Sequence, residues 1–103
     1  MKKKKAVSSR VRNKFVVVRT HSAGVHAGEL VSKNGREVVL ANARRIWRWF
    51  GANSLHEVAT LGIDVSKSKV SVAAARITLT EAIEVIGASD AGAASIKAAA
   101  WSQ

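Results

Sequence analysis

The chain has 103 residues, 48% of them hydrophobic, with 17 Lys and Arg against 7 Asp and Glu and with no Cys, Pro or Tyr. A chain of that length buries roughly 60 to 68% of the surface its unfolded form exposes, which suits one modest core and excludes a two-domain enzyme, while the apolar content excludes a disordered tail. Without cysteine there is no disulfide, thiolate nucleophile, Cys-ligated zinc or Fe–S cluster, so no cofactor is expected and the core must hold by packing or by oligomerising.

The formal charge of +10 is concentrated at the start. Lys2, Lys3, Lys4, Lys5, Arg10, Arg12 and Lys14 stand within residues 1–14 with no acid among them, and the remaining chain carries a net of only +3. The sequence therefore reads as a disordered basic arm, residues 1–14, on one α+β domain, residues 15–103. Such arms bind nucleic acid, a capsid or another polyanion through counterion release, or serve as solvated tails. The lysine-rich start looks like the basic region of a signal peptide, but no uninterrupted apolar stretch of signal or membrane-spanning length follows, so a cytoplasmic, non-membrane location is expected.

Phe15 to Thr20 is a β-branched apolar run with the character of a buried strand, closed by a turn at His21 to Gly24. Residues 25–50 read as a hairpin about Asn34-Gly35, whose type I′ turn needs positive φ at both central positions. In its long second arm, Arg36 to Phe50, strict alternation puts Val39, Ala41, Ala43, Arg45, Trp47 and Trp49 on one face. Val38, Leu40, Asn42, Arg44, Ile46 and Arg48 fall on the other. Neither face is apolar throughout. A helix over Leu40 to Phe50 is an alternative, but the β-branched entry and the Asn-Gly signal favour a strand, bent near Asn42.

Ser54-Leu-His-Glu57 is a capping box, with the Ser54 hydroxyl facing the Glu57 amide and the Glu57 side chain returning to the Ser54 amide; it predicts a short helix from Leu55 to about Leu61, ending at Gly62. Ile63 to Lys69 reads as polar loop. Val70 to Ile86 reads as two strands or one bent strand, with a helix capped by Thr78 or Thr80 as the alternative. Ser89-Asp90 opens an Ala-rich helix to about Ala99.

Three histidines and a few carboxylates are all the acid-base material present. A Ser22, His21 and Asp64 triad lacks a nucleophile elbow, and His21 and His26 lack the helical i, i+4 spacing of a zinc pair. The glycines form neither a phosphate loop nor a dinucleotide fingerprint. Leu55 to Ser71 has the cadence of a helix-turn-helix, but its glycine comes one position too soon and the second helix would run into β-branched residues. No catalytic residues are assigned.

The informative segment is Ala43-Arg-Arg-Ile-Trp-Arg-Trp-Phe50, with three guanidinium groups and three aromatics in eight residues. Arginine offers a planar fork to phosphate oxygens, and tryptophan a flat face to a base. As a nucleotide site, Arg19, Arg44, Arg45 and Arg48 would pair with phosphates, Trp47 or Trp49 would stack on a base, and Asn42 would read a polar edge. The competing assignment makes the tryptophans core or subunit-interface anchors covered by arginine stems.

Val17-Val-Arg-Thr-His-Ser-Ala-Gly-Val-His-Ala-Gly28, Asn42-Ala-Arg-Arg-Ile-Trp47 and Leu79-Thr-Glu-Ala-Ile-Glu-Val-Ile86, with Trp101 near the end, resemble a small uncharacterised family of phage and prophage proteins. The likeness runs from Phe15 to Trp101 and departs from the usual pattern in the lysine-rich arm, at Arg48 and in a short loop at Ile63 to Lys69. It implies a non-enzymatic bacteriophage accessory protein of the host cytoplasm. A homo-oligomer that sequesters a phosphate-bearing nucleotide signal, as counter-defence sponges do, is the leading expectation. A virion structural or decoration protein and a nucleic-acid-binding protein that uses the basic arm are the alternatives. The expected fold is a small antiparallel sheet, a hairpin plus further strands, with two short helices.

Overall fold

The computed structural model describes residues 14–99. The basic residues Lys2, Lys3, Lys4, Lys5, Arg10 and Arg12 and the terminal Trp101 lie outside them, so the expectations placed there concern residues beyond the described part. Six strands and two helices follow in the order β1 (Phe15–Thr20), β2 (Val25–Asn34), β3 (Glu37–Arg48), α1 (Leu55–Thr60), β4 (Lys69–Val70), β5 (Ala74–Leu79), β6 (Ala82–Gly87) and α2 (Asp90–Ala98). The class is α+β, dominated by one antiparallel sheet of order β4-β3-β2-β1-β6, with β5 also paired to β3.

β1 is central, which explains its unbroken valines. Val17 enters the core on one face of the sheet, and Val16 and Val18 enter a second core on the other. On the first face α1 and α2 lie over Val17, Ala27, Ile46 and Val70, contributing Val58, Ala59 and Ile96. Gly92 makes this packing possible, because a Cβ there would collide with the Ala59 carbonyl. Ser89 caps α2 by accepting from the Gly92 amide at 3.0 Å, and its hydroxyl donates to the Thr60 carbonyl at 2.6 Å, tying the two helices together. Ser54 caps α1 as expected, accepting from the Glu57 amide at 3.3 Å. The returning Glu57 carboxylate takes the Asn53 amide at 3.1 Å rather than that of Ser54, which satisfies the donor one residue farther out.

The second face closes on itself. Val16, Val18, Val38, Leu40, Leu79 and Ala82 form its core. The corner between β5 and β6 brings the two edges of the curled sheet together, with the Ala82 amide donating to Arg36 O and the His21 amide to Glu81 O, both at 3.0 Å.

Two local expectations are corrected. The β2–β3 ladder closes at Asn34 and Glu37, so the turn is Gly35-Arg36, and only Gly35 has positive φ, at 62°. That is the type II′ pattern, with glycine first, rather than type I′ about Asn34-Gly35. Strict alternation along β3 fails because Asn42 takes a left-handed conformation, φ 50°, in a bulge where one extra β3 residue faces Gly28. Val38, Leu40 and Ala43 therefore share one core although their numbers differ in parity, while Ile46 enters the other. After α1 the expected polar loop is present, and no recognition helix follows it. Residues 61–68 are loop and Lys69–Val70 pairs with β3, which removes the helix-turn-helix reading. The helical alternatives over Leu40 to Phe50 and from Thr78 or Thr80 give way to β3, β5 and β6. Among the described residues no helix is long and apolar enough to cross a membrane.

Candidate functional site

Beyond the Asn42 bulge, β3 keeps β2 on one side as far as Ile46, while on its other side β5 ends at Ala74 and the two-residue β4 follows. Arg45, Trp47 and Arg48 are exposed there, Trp47 by 53%, and Phe50 just past the strand by 41%. The Arg48 guanidinium stands 5.5 Å from the centre of the Phe50 ring. Lys69 is the strand partner of Arg48. Exposed Lys67 lies on the loop between Asp64 and Ser68, and that loop is fastened to the Phe50 backbone. The Phe50 amide donates to Ser68 Oγ at 3.0 Å, and its carbonyl accepts from the Asp64 amide at 2.8 Å. The Asp64 carboxylate organises the loop by accepting from the Ser66 hydroxyl at 2.8 Å and from the Ser66 and Lys67 amides. The Ser66 hydroxyl bond, with those amides and the Lys67 charge, holds the Asp64 carboxyl below its ordinary range. Phe50 is thus a positioned aromatic face with Arg48, Lys67 and Lys69 on nearby segments.

Arg45 reaches back over the turn before β2. A Cβ on Gly24 would come within 3.1 Å of its guanidinium, so glycine leaves it room. Its strand partner is His26, whose Nε2 donates to the Ala23 carbonyl at 2.9 Å. Burial, supplemented by the Arg45 charge and opposed by the bond to Ala23, lowers the pKa of this imidazole below 6.5.

The other expected ligand residues are dispersed. Asn42 and Arg44 share a cleft of about 240 Å³ with Phe15, Glu29 and Lys97, and Asn42 Nδ2 lies 3.4 Å from the Glu29 carboxylate. Lys97 Nζ sits 5.0 Å above the Phe15 ring. On the other side of Phe15, Lys14 and Lys97 border a second cleft of about 540 Å³ with the Gly87 to Asp90 backbone. Lys14 places the origin of the basic arm here. Arg19 is in an exposed ion pair with Glu84 at 3.3 Å. Trp49 is half-buried against the helix-side core, as the anchor assignment requires. The seven residues Arg19, Asn42, Arg44, Arg45, Trp47, Arg48 and Trp49 therefore do not form one pocket. Arg45, Trp47 and Arg48 share the exposed end of β3, and only Asn42 and Arg44 line a cleft.

Ser22 donates to the Glu81 carboxylate at 2.7 Å, and Asp64 is engaged with its own loop, so the Ser22, His21 and Asp64 grouping is not assembled. Among the described residues no three His, Asp or Glu side chains are placed to hold a metal. No local signal ties Lys67 and Lys69 to the Arg/Trp segment, because their proximity arises from the pairing of β4 with β3 and from the Asp64 turn.

No curated protein and no solved structure matches the chain. Residues 13–96 match a family described as a domain of unknown function, DUF6948. That span takes in all six strands and nearly all of α2, and the chain belongs to this family.

Proposed function

We propose that this protein is a non-enzymatic accessory protein that binds single-stranded nucleic acid across the exposed end of β3. The observation that carries the reading is the pair of exposed aromatics, Trp47 and Phe50, on a stretch that also bears Arg45, Arg48, Lys67 and Lys69. A single strand needs stacking faces for its bases and cations for its phosphates, on a surface open enough for the strand to pass. The six basic residues before Asn13 and Lys14 add sequence-independent attraction. In the phage setting that the resemblance implies, such a protein acts in the host cytoplasm. Sequestration of one nucleotide in a closed pocket has less support, because the cleft that holds Asn42 and Arg44 contains neither Arg45, Trp47 nor Arg48, and its Glu29 carboxylate offsets one of its two cations.

Fluorescence anisotropy with a labelled oligothymidylate tests the proposal. Replacing Trp47 and Phe50 by Ala is expected to weaken binding by about tenfold or more, since each stacked base contributes roughly 1–3 kcal/mol. Arg45→Ala with Arg48→Ala should flatten the logarithmic salt dependence by about 1.4, the share of two phosphate contacts on a single strand. Unchanged affinity in the Trp47 and Phe50 double variant overturns the site. A mononucleotide or cyclic dinucleotide that binds as tightly as the oligonucleotide returns the choice to sequestration.

A further inference from the structure

We infer that the outer edge of β5 pairs antiparallel with the same edge of a second copy of this chain, with the two-fold axis at Ala75. Among the described residues β5 is hydrogen-bonded to β3 alone, and its register from Ala74 to Leu79 has no bulge. The residues before and along it are exposed as an apolar run, Val72-Ala-Ala-Ala75, in which Val72 is 86% exposed. Monomeric proteins guard such edges with bulges, prolines or several charges, and here Arg76 is the only charge from Val72 to Leu79. The opposite edge differs. β6 meets β1 through a bulge and carries Glu84, paired to Arg19.

A second copy fits this edge by its own pattern. With Ala75 facing Ala75, Arg76 falls opposite Ala74, Ile77 opposite Ala73 and Thr78 opposite Val72. No like charges stand directly opposite one another, the two Arg76 side chains being diagonal across the axis, and alanines occupy the centre. The contact is small, so it belongs with weak, reversible interfaces. Because each chain carries +10, the pairing tightens as salt screens the repulsion, opposite in sign to nucleic-acid binding.

The register supplies its own test in sedimentation velocity of the full chain across protein and salt concentrations. Ala74→Glu places two carboxylates against the two Arg76 side chains of the dimer and is expected to tighten it roughly three- to tenfold. Ala74→Lys opposes two pairs of like charges and should loosen it by a similar factor. In this cysteine-free chain, Ala75→Cys should cross-link to a dimer with a short bismaleimide, whereas Ala94→Cys on the exposed side of α2 should not. A chain that stays monomeric at about 0.5 mM in high salt overturns the pairing. So does a shift of the same direction in the Glu and Lys variants.

Discussion

The two halves of β3 have similar backbones and opposite fates. Before Asn42, Val38 and Leu40 are wholly buried; after it, Ala43 and Ile46 stay buried while Arg45, Trp47 and Arg48 stand in solvent. The first half lies between β2 and most of β5 and faces the core on which the sheet closes. The second half keeps β2 on one side as far as Ile46, but on the other side β5 gives way after Ala74 to the two residues of β4. Burial along this strand is set by its neighbours, and the bulge at Asn42 decides which side chains meet them. One left-handed residue changes which side chains of the strand meet each core without ending it.

Truncating one large side chain in each half of β3 tests this difference most directly. Leu40→Ala removes a fully buried side chain and is expected to cost roughly 2–5 kcal/mol in urea unfolding, whereas Trp47→Ala, at a side chain 53% exposed, should cost about 1 kcal/mol. Similar costs at both positions would mean that Trp47 is packed in solution and that the stacking surface does not exist. Next in size is Gly28, which faces the bulge. A Cβ there would come within 3.0 Å of both Ala41 O and Ala43 Cα. Gly28→Val is expected to cost about 1–3 kcal/mol by overpacking. It should also lower oligonucleotide affinity in the folded protein, because a register slip turns Arg45 and Trp47 toward the opposite face.

Much of this fold was legible, for identifiable reasons. β1, the two helices and their serine caps follow from local signals whose chemistry acts within four residues: a β-branched run, Ser54 before Glu57, and Ser89 before Asp90. The faces of β3 were not, because alternation assumes an unbroken ladder and the bulge depends on Gly28, some fourteen residues away and on another strand. The hairpin turn was displaced by one residue for a similar reason: Asn34-Gly35 and Gly35-Arg36 both offer a glycine, and the register that selects between them is set farther along the ladder. For the site, residue types were readable and their assembly was not. Arg45, Trp47 and Arg48 are near in sequence and remain together, whereas Arg19 is drawn to Glu84, Trp49 turns to the helices, and Lys67 and Lys69 arrive through the loop after α1.

The bulge residue itself gives a finer test. Asn tolerates a φ of 50° because its short amide is compatible with the left-handed region, and its bond to Glu29 is long. Asn42→Gly should therefore lie within a few tenths of a kcal/mol of the wild type, while Asn42→Val should cost about 1–2 kcal/mol. Equal effects would place the bulge elsewhere.

The smallest expected effect links the exposed half of β3 to its neighbour. His26 titrates below 6.5 in the folded chain, chiefly through burial and in part through the facing Arg45 guanidinium. The neutral imidazole is thus the native form. Above 6.5 both states are neutral and the contribution is complete. As the pH falls below 6.5 the unfolded chain takes up the proton first, so stability declines until the folded-state pKa is passed and then levels off. His26→Gln should remove that decline, measured as the urea midpoint against pH. Arg45→Ala should move the His26 resonance titration up toward 6.5 while leaving it lowered, since burial is the larger cause. If the titration does not move, Arg45 points away from His26 in solution, and the exposed end of β3 would present its guanidinium elsewhere than beside the turn before β2.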